Sequence, residues 1–291
     1  LPLRDILLAL LVVFIWGTSF IGMRYGVEEM PPLILTAARF FFSAIPAIFL
    51  LPRPGAAPKS VIGYGFVLGV GMFGAVIMAI HLGMPIGLTS IIAQTQVYFT
   101  MLIAFVLYGE RPTRLQLIGA ALAAVGMIIF ARERAASAPL GPFLLVLFGA
   151  FCWGIANIIG KRAAPGNMPS FIAWASLVSP VPLVLASLVL DGPKAVAASL
   201  HWPSLTLALS VAYIAFFATN IGFALWGLLL SRHPINSVAP FSLLIPIVGM
   251  ASGVILFQEK ITPGILIGSA VVMGGLALNV FGDRLVARLR R

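Results

Sequence analysis

The second half of this chain repeats the first. Phe14, Ile15, Trp16 and Gly17 have counterparts in Phe151, Cys152, Trp153 and Gly154. Downstream, Pro85, Ile86, Glu110, Thr113, Leu117, Ile118, Gly119 and Gly126 find Pro234, Ile235, Glu259, Thr262, Leu266, Ile267, Gly268 and Gly275 at one constant offset. The repeat divides the chain into units 1–135 and 136–291. With 61% hydrophobic and 9% charged residues, the chain would not stay soluble as a monomer, and an integral membrane protein is expected.

A span needs roughly 20 predominantly apolar residues, and helices are the open-ended way to satisfy backbone polar groups in lipid. Ten stretches qualify: Ile6 to Met23, Pro32 to Leu51, Val61 to Leu82, Leu88 to Tyr108, Leu115 to Ala131, Leu140 to Gly160, Pro169 to Leu190, Leu205 to Leu230, Ser237 to Phe257 and Gly264 to Phe281. The expected fold is all-α, with ten transmembrane helices arranged as two five-helix repeats. Five is odd, so the second repeat enters the membrane from the opposite side and the repeat is inverted. Such symmetry marks transporters, whose substrate site lies near the bilayer midplane between the halves. The first span is N-terminal, but its counterpart around Trp153 sits in mid-chain and is no signal peptide, so the first span is expected to persist in the mature protein. A start at Leu1 rather than at methionine is the expectation for a trimmed sequence.

An inside N-terminus places Arg4, Arg53, Lys59, Arg111, Arg114, Lys161, Arg162, Arg232, Arg284, Arg288, Arg290 and Arg291 in the cytoplasm, against Arg24, Arg132, Arg134, Lys194 and Lys260 outside. That bias predicts both termini inside. The net charge of +10 then serves orientation and anionic lipid head groups, not nucleic acid. Loops are short, the longest polar stretch being Gly192 to Pro203, and no soluble domain is expected.

Two five-helix halves, each with the aromatic-Gly pair in its first helix and Gly109-Glu110 or Gln258-Glu259 ending its fourth, resemble the EamA branch of the drug/metabolite transporter superfamily. The resemblance covers the whole chain and is best from Pro234 to Gly275, with Pro246 inside the ninth span, Glu259 at its end and Gly268 on the tenth. Within the family the chain is most similar to YddG-type exporters of aromatic and other amino acids. The first half departs where Gln94, Thr95 and Gln96 replace a proline common in the family, which predicts a straighter, more polar fourth helix. The resemblance implies an inner-membrane exporter of amino acids, multi-pass and bacterial, working as a monomer by alternating access.

Asp5, Glu28, Glu29, Glu110, Glu133, Asp191, Glu259 and Asp283 all fall at span ends or in loops. Cation and proton antiporters usually rely on an intramembrane carboxylate, and the four-helix relatives carry a glutamate in the first helix where this chain has Trp16 and Ser19. Carboxylate-driven antiport of lipophilic cations is therefore not expected, and facilitated movement down a gradient is. Arg39 is the one unambiguous charge inside a span, at a cost on the order of 3 kcal/mol. It either holds a substrate carboxylate or is a structural Arg bonded to helix-end carbonyls or snorkelling outward. His81, near the outer end of the third span, could relay a proton or bond substrate, or rest as a satisfied interfacial histidine. His201 and His233 read as solvated loop residues.

Polar residues on apolar helices form the larger constellation. Gln94 and Tyr98, Trp153 and Asn157, and Tyr213 and Asn220 are spaced four, four and seven apart, so each pair shares a face of a regular helix. Amides and phenols could bond an amino group and a carboxylate, and Trp16 and Trp153 offer aromatic surface for side chains and the ammonium. For each residue alone, interhelical bonding of about 0.6 kcal/mol is the competing explanation. Trp202, Trp226 and Trp174 read as interfacial belt residues. Gly65 and Gly69, and Gly22 with Gly26, read as close helix contacts. Pro46, Pro180, Pro182, Pro240 and Pro246 read as interruptions.

The sole cysteine, Cys152, excludes an intrachain disulfide and a cysteine metal cluster. There is no Gly-x-Ser-x-Gly, no His-Glu-x-x-His and no pair of intramembrane aspartates, so no enzyme, metal or cofactor is expected. A drug or metabolite exporter is the second transport reading. A sugar-phosphate carrier would need more basic pocket residues than Arg39. A receptor-like or structural membrane protein is the non-transport alternative, separated by flux.

Overall fold

Where water does not reach the backbone, a helix satisfies its own N–H and C=O groups. The computed structural model of the chain is helical, with no strand among the described residues, which are 1–133, 140–164, 166–199, 203–233 and 235–289. The helices are α1 Leu3–Glu29, α2 Pro32–Leu50, α3 Pro58–His81, α4 Ile86–Tyr108 and α5 Arg114–Glu133. They continue with α6 Leu140–Ala163, α7 Met168–Leu190 and α8 Leu205–Arg232. The last are α9, built from Ile235–Val238, Ala239–Leu244 and Ile245–Phe257, and α10 Pro263–Leu289. A short helix, Pro193–Ala198, follows α7.

Each apolar stretch read from the sequence falls on one of α1 to α10. Eight are long and apolar enough to cross a membrane, while α5 and α9 supply the shorter apolar segments Arg114–Phe130 and Phe241–Phe257. The outward faces are apolar too, with Phe14 58%, Phe49 79% and Val189 83% exposed. Apolar surface that extensive fits lipid and not water. His201 and Trp202 lie outside the described residues.

Thr113 and Thr262, matched in the repeat, each start a helix by the same device. The Thr113 hydroxyl accepts from the Gln116 N–H at 3.2 Å and the Thr262 hydroxyl from the Ile265 N–H at 3.2 Å, satisfying donors that helix starts leave free. Interior irregularities match as well. α3 widens into a π-helical stretch over Phe66–Phe73, and α8 does so over Tyr213–Ile221. α9 tightens over Ala239–Leu244, just before Pro246. α4 is interrupted at Gln94 and Thr95, between Ile86–Ala93 and Gln96–Tyr108, so the absence of proline does not make it straighter. α7 breaks before Pro180, separating Met168–Ser176 from Pro180–Leu190, as the missing N–H and the clash with the preceding residue require. Pro46 lies inside α2 without ending it.

Packing follows the same pairing. α1 lies against α8 and α9, and α6 lies against α3 and α4; α2 pairs with α7, α4 with α9, and α5 with α10. Glycines set the closest approaches. A Cβ on Gly65 would strike the Ala175 carbonyl and one on Gly69 the Ser179 hydroxyl, seating α3 on the break in α7. Gly22 meets Ile214 and Ser210 of α8, and Gly26 meets Leu35 of α2. The repeat-matched glycines 119, 126, 268 and 275 bring α5 and α10 together backbone to backbone.

A Cβ added at Gly275 would lie 2.5 Å from the Gly119 carbonyl oxygen, whereas Gly274, on the same turn, meets nothing within 4 Å. Gly275→Val is expected to cost about 1–3 kcal/mol by forcing the helices apart and to lower the melting temperature in detergent. Gly274→Val is expected to leave it unchanged, and equal melting temperatures for the two would show that the close approach contributes nothing.

Candidate functional site

The two halves meet around a cavity of about 70 Å³. Its walls come from α1 (Trp16, Ser19, Phe20, Met23), α2 (Arg39), α3 (Met72, Phe73, Val76), α4 (Ser90, Ala93, Gln94), α6 (Trp153), α8 (Phe223) and α9 (Ile245). The π-helical stretch of α3 delivers Met72 and Phe73 to this wall, and the interruption of α4 delivers Gln94.

Arg39 is 2% exposed, so it does not snorkel. Its Nε donates to the Thr219 hydroxyl at 3.1 Å, and its guanidinium carbon stands 3.7 Å from the Phe73 ring centroid. Nη1 is buried with no hydrogen-bond partner. A cation over an aromatic face recovers part of the desolvation cost, and a hydroxyl recovers a little more. Neither neutralises the charge.

Four other polar side chains on the wall, those of Trp16, Ser19, Ser90 and Gln94, are engaged with backbone. Trp16 Nε1 donates to the Ala218 carbonyl at 2.9 Å, inside the π-helical stretch of α8. Ser19 donates to the Trp16 carbonyl at 2.6 Å and Ser90 to the Gly87 carbonyl at 2.7 Å. Gln94 Nε2 donates to the Ser242 carbonyl at 3.2 Å, in the tightened part of α9. Chemically the cavity therefore offers one under-bonded guanidinium within aromatic and thioether walls. Such a site can hold an anionic head and an apolar tail. At about 70 Å³ it is much smaller than the ~300–1,000 Å³ of ordinary ligand pockets, so filling it requires the walls to move.

Two larger hollows lie on the outside of the helices. One of about 510 Å³ runs between α9 and α10 past Met250, Val254, Leu266 and Met273, and one of about 460 Å³ lies between α2, α7 and α8 near Pro46, Leu50, Pro169 and Phe216. Among the described residues no charged one lines either, so they show no recognition chemistry comparable with that of Arg39.

Of the nine residues singled out from the sequence, Trp16, Arg39, Gln94 and Trp153 line the cavity. The other five stand elsewhere. His81 is exposed at the end of α3, its Nδ1 3.4 Å from the Val27 carbonyl. Asn157 Nδ2 donates to Gln96 Oε1 at 2.6 Å and to the Thr100 hydroxyl at 3.0 Å, tying α6 to α4. Tyr213 shares a 2.5 Å hydrogen bond with Thr18 of α1. Asn220 accepts from the Ser43 hydroxyl at 2.6 Å and donates to the Ser43 carbonyl at 3.1 Å, tying α8 to α2. Tyr98 turns toward Gly275 of α10, its hydroxyl buried and unpartnered.

Two of the pairs do not share a face, because the helices are irregular there. The interruption at Gln94 separates it from Tyr98, and the wider π turn rotates Tyr213 away from Asn220. Trp226, half-buried, packs 5.3 Å from the Trp16 ring. Trp174 has a buried, unpartnered Nε1 and the Arg53 guanidinium 5.6 Å from its ring. His233 is not simply solvated, since its Nε2 lies 2.6 Å from Asp5 Oδ2. Phe73, Phe223 and Thr219, which complete the surroundings of Arg39, escaped the sequence reading because nothing distinguishes them from ordinary core residues there.

Known proteins with similar sequences place the fold and site in context. The model of the EamA-like transporter family matches residues 3–132 and again 141–281. A probable amino-acid metabolite efflux pump of Salmonella typhimurium is 39% identical over 287 residues, covering 97% of this chain and 96% of that protein. Its counterpart in Escherichia coli K12 is 39% identical over 289 residues, with 97% and 96% covered. A solved crystal structure at 20% identity superposes with a TM-score of 0.65 over 95% of this chain and 96% of the other, so the fold is shared. With both halves matched and such relatives along nearly its whole length, the chain belongs to the EamA-like transporter family.

Proposed function

We propose that this protein exports amino acids across the bacterial inner membrane and that the cavity around Arg39 is where they bind. One observation carries the reading: a buried guanidinium with an unpartnered nitrogen lies in a cavity walled by Trp16, Phe73, Trp153 and Phe223. Arg39 takes the substrate carboxylate. The aromatic walls take the side chain and, through their faces, the ammonium. Because the walls bond to no particular side-chain group, aromatic and other neutral amino acids are accepted alike. The relatives named as probable amino-acid metabolite efflux pumps support the substrate class. The protein is a carrier and not an enzyme.

The transport cycle follows from an inverted repeat of five helices within ten, units 1–135 and 136–291, with both termini cytoplasmic and a single chain sufficient. Support comes from the two family matches, from the pairing of helix contacts between the halves, and from matched irregularities in α3 and α8. Two halves related in this way can expose one central site to either side in turn.

Labelled phenylalanine and threonine are expected to enter vesicles containing the purified protein in a saturable way, and glutamate poorly. Arg39→Ala is expected to weaken apparent affinity for phenylalanine by roughly 10- to 100-fold, the effect of losing one or two hydrogen bonds to a charged group. Phenethylamine, which lacks the carboxylate, should lose nothing. Trp153→Ala should weaken phenylalanine and phenethylamine together. Equal losses for both compounds in Arg39→Ala would remove the carboxylate assignment, and no flux above empty vesicles would remove the amino-acid reading. Orientation is checked separately in intact cells, where an impermeant thiol reagent should label Lys194→Cys and not Arg111→Cys. The reverse pattern would invert the topology.

A further inference from the structure

Gln258 ends α9 in the left-handed conformation, φ 50°. The turn sends Glu259 back along the start of α4, where Oε1 accepts from the Ile86 N–H at 2.6 Å and Oε2 from the Gly87 N–H at 3.0 Å. These amides belong to the set that every helix start leaves free, and the positive end of the helix dipole favours a carboxylate there. Gly253 makes the room, because a Cβ on it would strike the carboxylate. Burial pushes the Glu259 carboxyl above its ordinary pKa, against the opposing pull of the Gly87 and Ile86 amides and the charge of Arg24.

This clasp lies at one end of a contact that does not run the length of the helices. Ile86–Ala93 of α4 packs along Ile245–Phe257 of α9, and beyond the interruption Gln96–Tyr108 packs on α6. The clasped end is the one opposite the start of α1. Gln94 marks the limit of the contact by its bond to the Ser242 carbonyl.

The repeat places a second copy of the same parts at the other end. Glu110 corresponds to Glu259, and Pro234 and Ile235 correspond to Pro85 and Ile86. Gly109, before Glu110, holds the left-handed conformation of Gln258, with φ 66°. Yet Glu110 has a different partner here: its side chain is 53% exposed and Oε1 accepts from Lys161 Nζ at 2.7 Å. Matched carboxylates on matched turns are thus bonded differently at the two ends.

We propose that Glu259 and Glu110 are positioning residues that latch the two ends of the transporter in alternation. Glu259 holds the end opposite the start of α1 closed by capping α4. When that end opens, Glu110 leaves Lys161 and caps the start of α9, closing the end where α1 begins. Ala104 stands where Gly253 stands in the other copy, so a methyl group crowds the Glu110 latch and makes it the weaker of the two. The conformation with Glu259 latched is therefore the resting one. This inference rests on the inverted-repeat, alternating-access reading of the proposed function.

The test uses the full chain in lipid nanodiscs with buried Cys152 replaced by Ala. Pairs of spin labels report the Glu259 end, at Leu82 and Lys260, and the opposite end, at Arg111 and Ser231. Glu259→Gln is expected to raise the ratio of long to short distances at Leu82–Lys260 about tenfold and to shorten Arg111–Ser231. Gly253→Ala, which displaces the carboxylate without altering it, is expected to do the same. Glu110→Gln should shift both pairs in the opposite sense, depleting the short Arg111–Ser231 population that saturating phenylalanine produces in the unsubstituted protein. Unshifted distances, or shifts of the same sign in Glu259→Gln and Glu110→Gln, would overturn the latches. Phenylalanine flux with unshifted distances removes the latches and leaves the proposed function. Shifted distances without flux do the reverse.

Discussion

Inside a bilayer a backbone group released from its helix has no water to turn to, so every irregular turn needs a partner from the protein itself. That requirement organises the centre of this molecule. The π-helical stretch of α8 has the Ala218 carbonyl answered by Trp16 and the Ile214 carbonyl answered by Thr219 at 2.8 Å. The tightened stretch of α9 has the Ser242 carbonyl answered by Gln94, and the break in α7 lies where Ser179 donates to the Gly65 carbonyl at 2.9 Å. Three of these four bonds join helices of different halves. The irregularities therefore do not weaken the bundle at random; they fasten one half to the other around the cavity.

One consequence is that the residues lining the cavity cannot be divided cleanly into structural and functional sets. Trp16 presents an aromatic wall and also satisfies α8. Gln94 presents an amide and also satisfies α9. Arg39 presents its guanidinium and also reaches across to the Thr219 hydroxyl, which donates to the Ile214 carbonyl within α8. A substrate that moved any of these side chains would disturb a hydrogen bond between the halves, which is a physical route from an occupied site to a changed relation between the bundles.

The helices and the repeat were legible in the sequence because both depend on composition over long windows, and lipid enforces that composition. Helix interiors were less legible. The α4 interruption has no proline to announce it, and the two π-helical stretches lie in runs of small and apolar residues that read equally well as regular helix. Side-chain assignments resting on regular 3.6-residue geometry failed across those stretches, as for Gln94 with Tyr98 and Tyr213 with Asn220. Assignments resting on chemistry alone fared differently. A charge in a span and two tryptophans at matched places in the repeat stand on the cavity wall, because a buried charge and a large indole both need specific surroundings wherever the helix turns. Asn157 and Asn220 needed partners too, and found them between helices.

Arg39 shows why its surroundings look incomplete. A structural arginine at this depth would have its donors satisfied or be matched by a carboxylate, since an isolated buried charge costs several kcal/mol. Here the guanidinium has a ring face at 3.7 Å, one hydroxyl at 3.1 Å and an unpartnered Nη1. A zwitterionic amino acid would supply the missing carboxylate while adding no net charge, turning a charged cavity into an ion pair whose substrate ammonium lies against aromatic faces. Desolvation then costs less with substrate than without it. On the transport reading, the same deficit that makes Arg39 costly at rest makes the loaded site easier to bury, and a carrier that must enclose its substrate before releasing it gains from that difference.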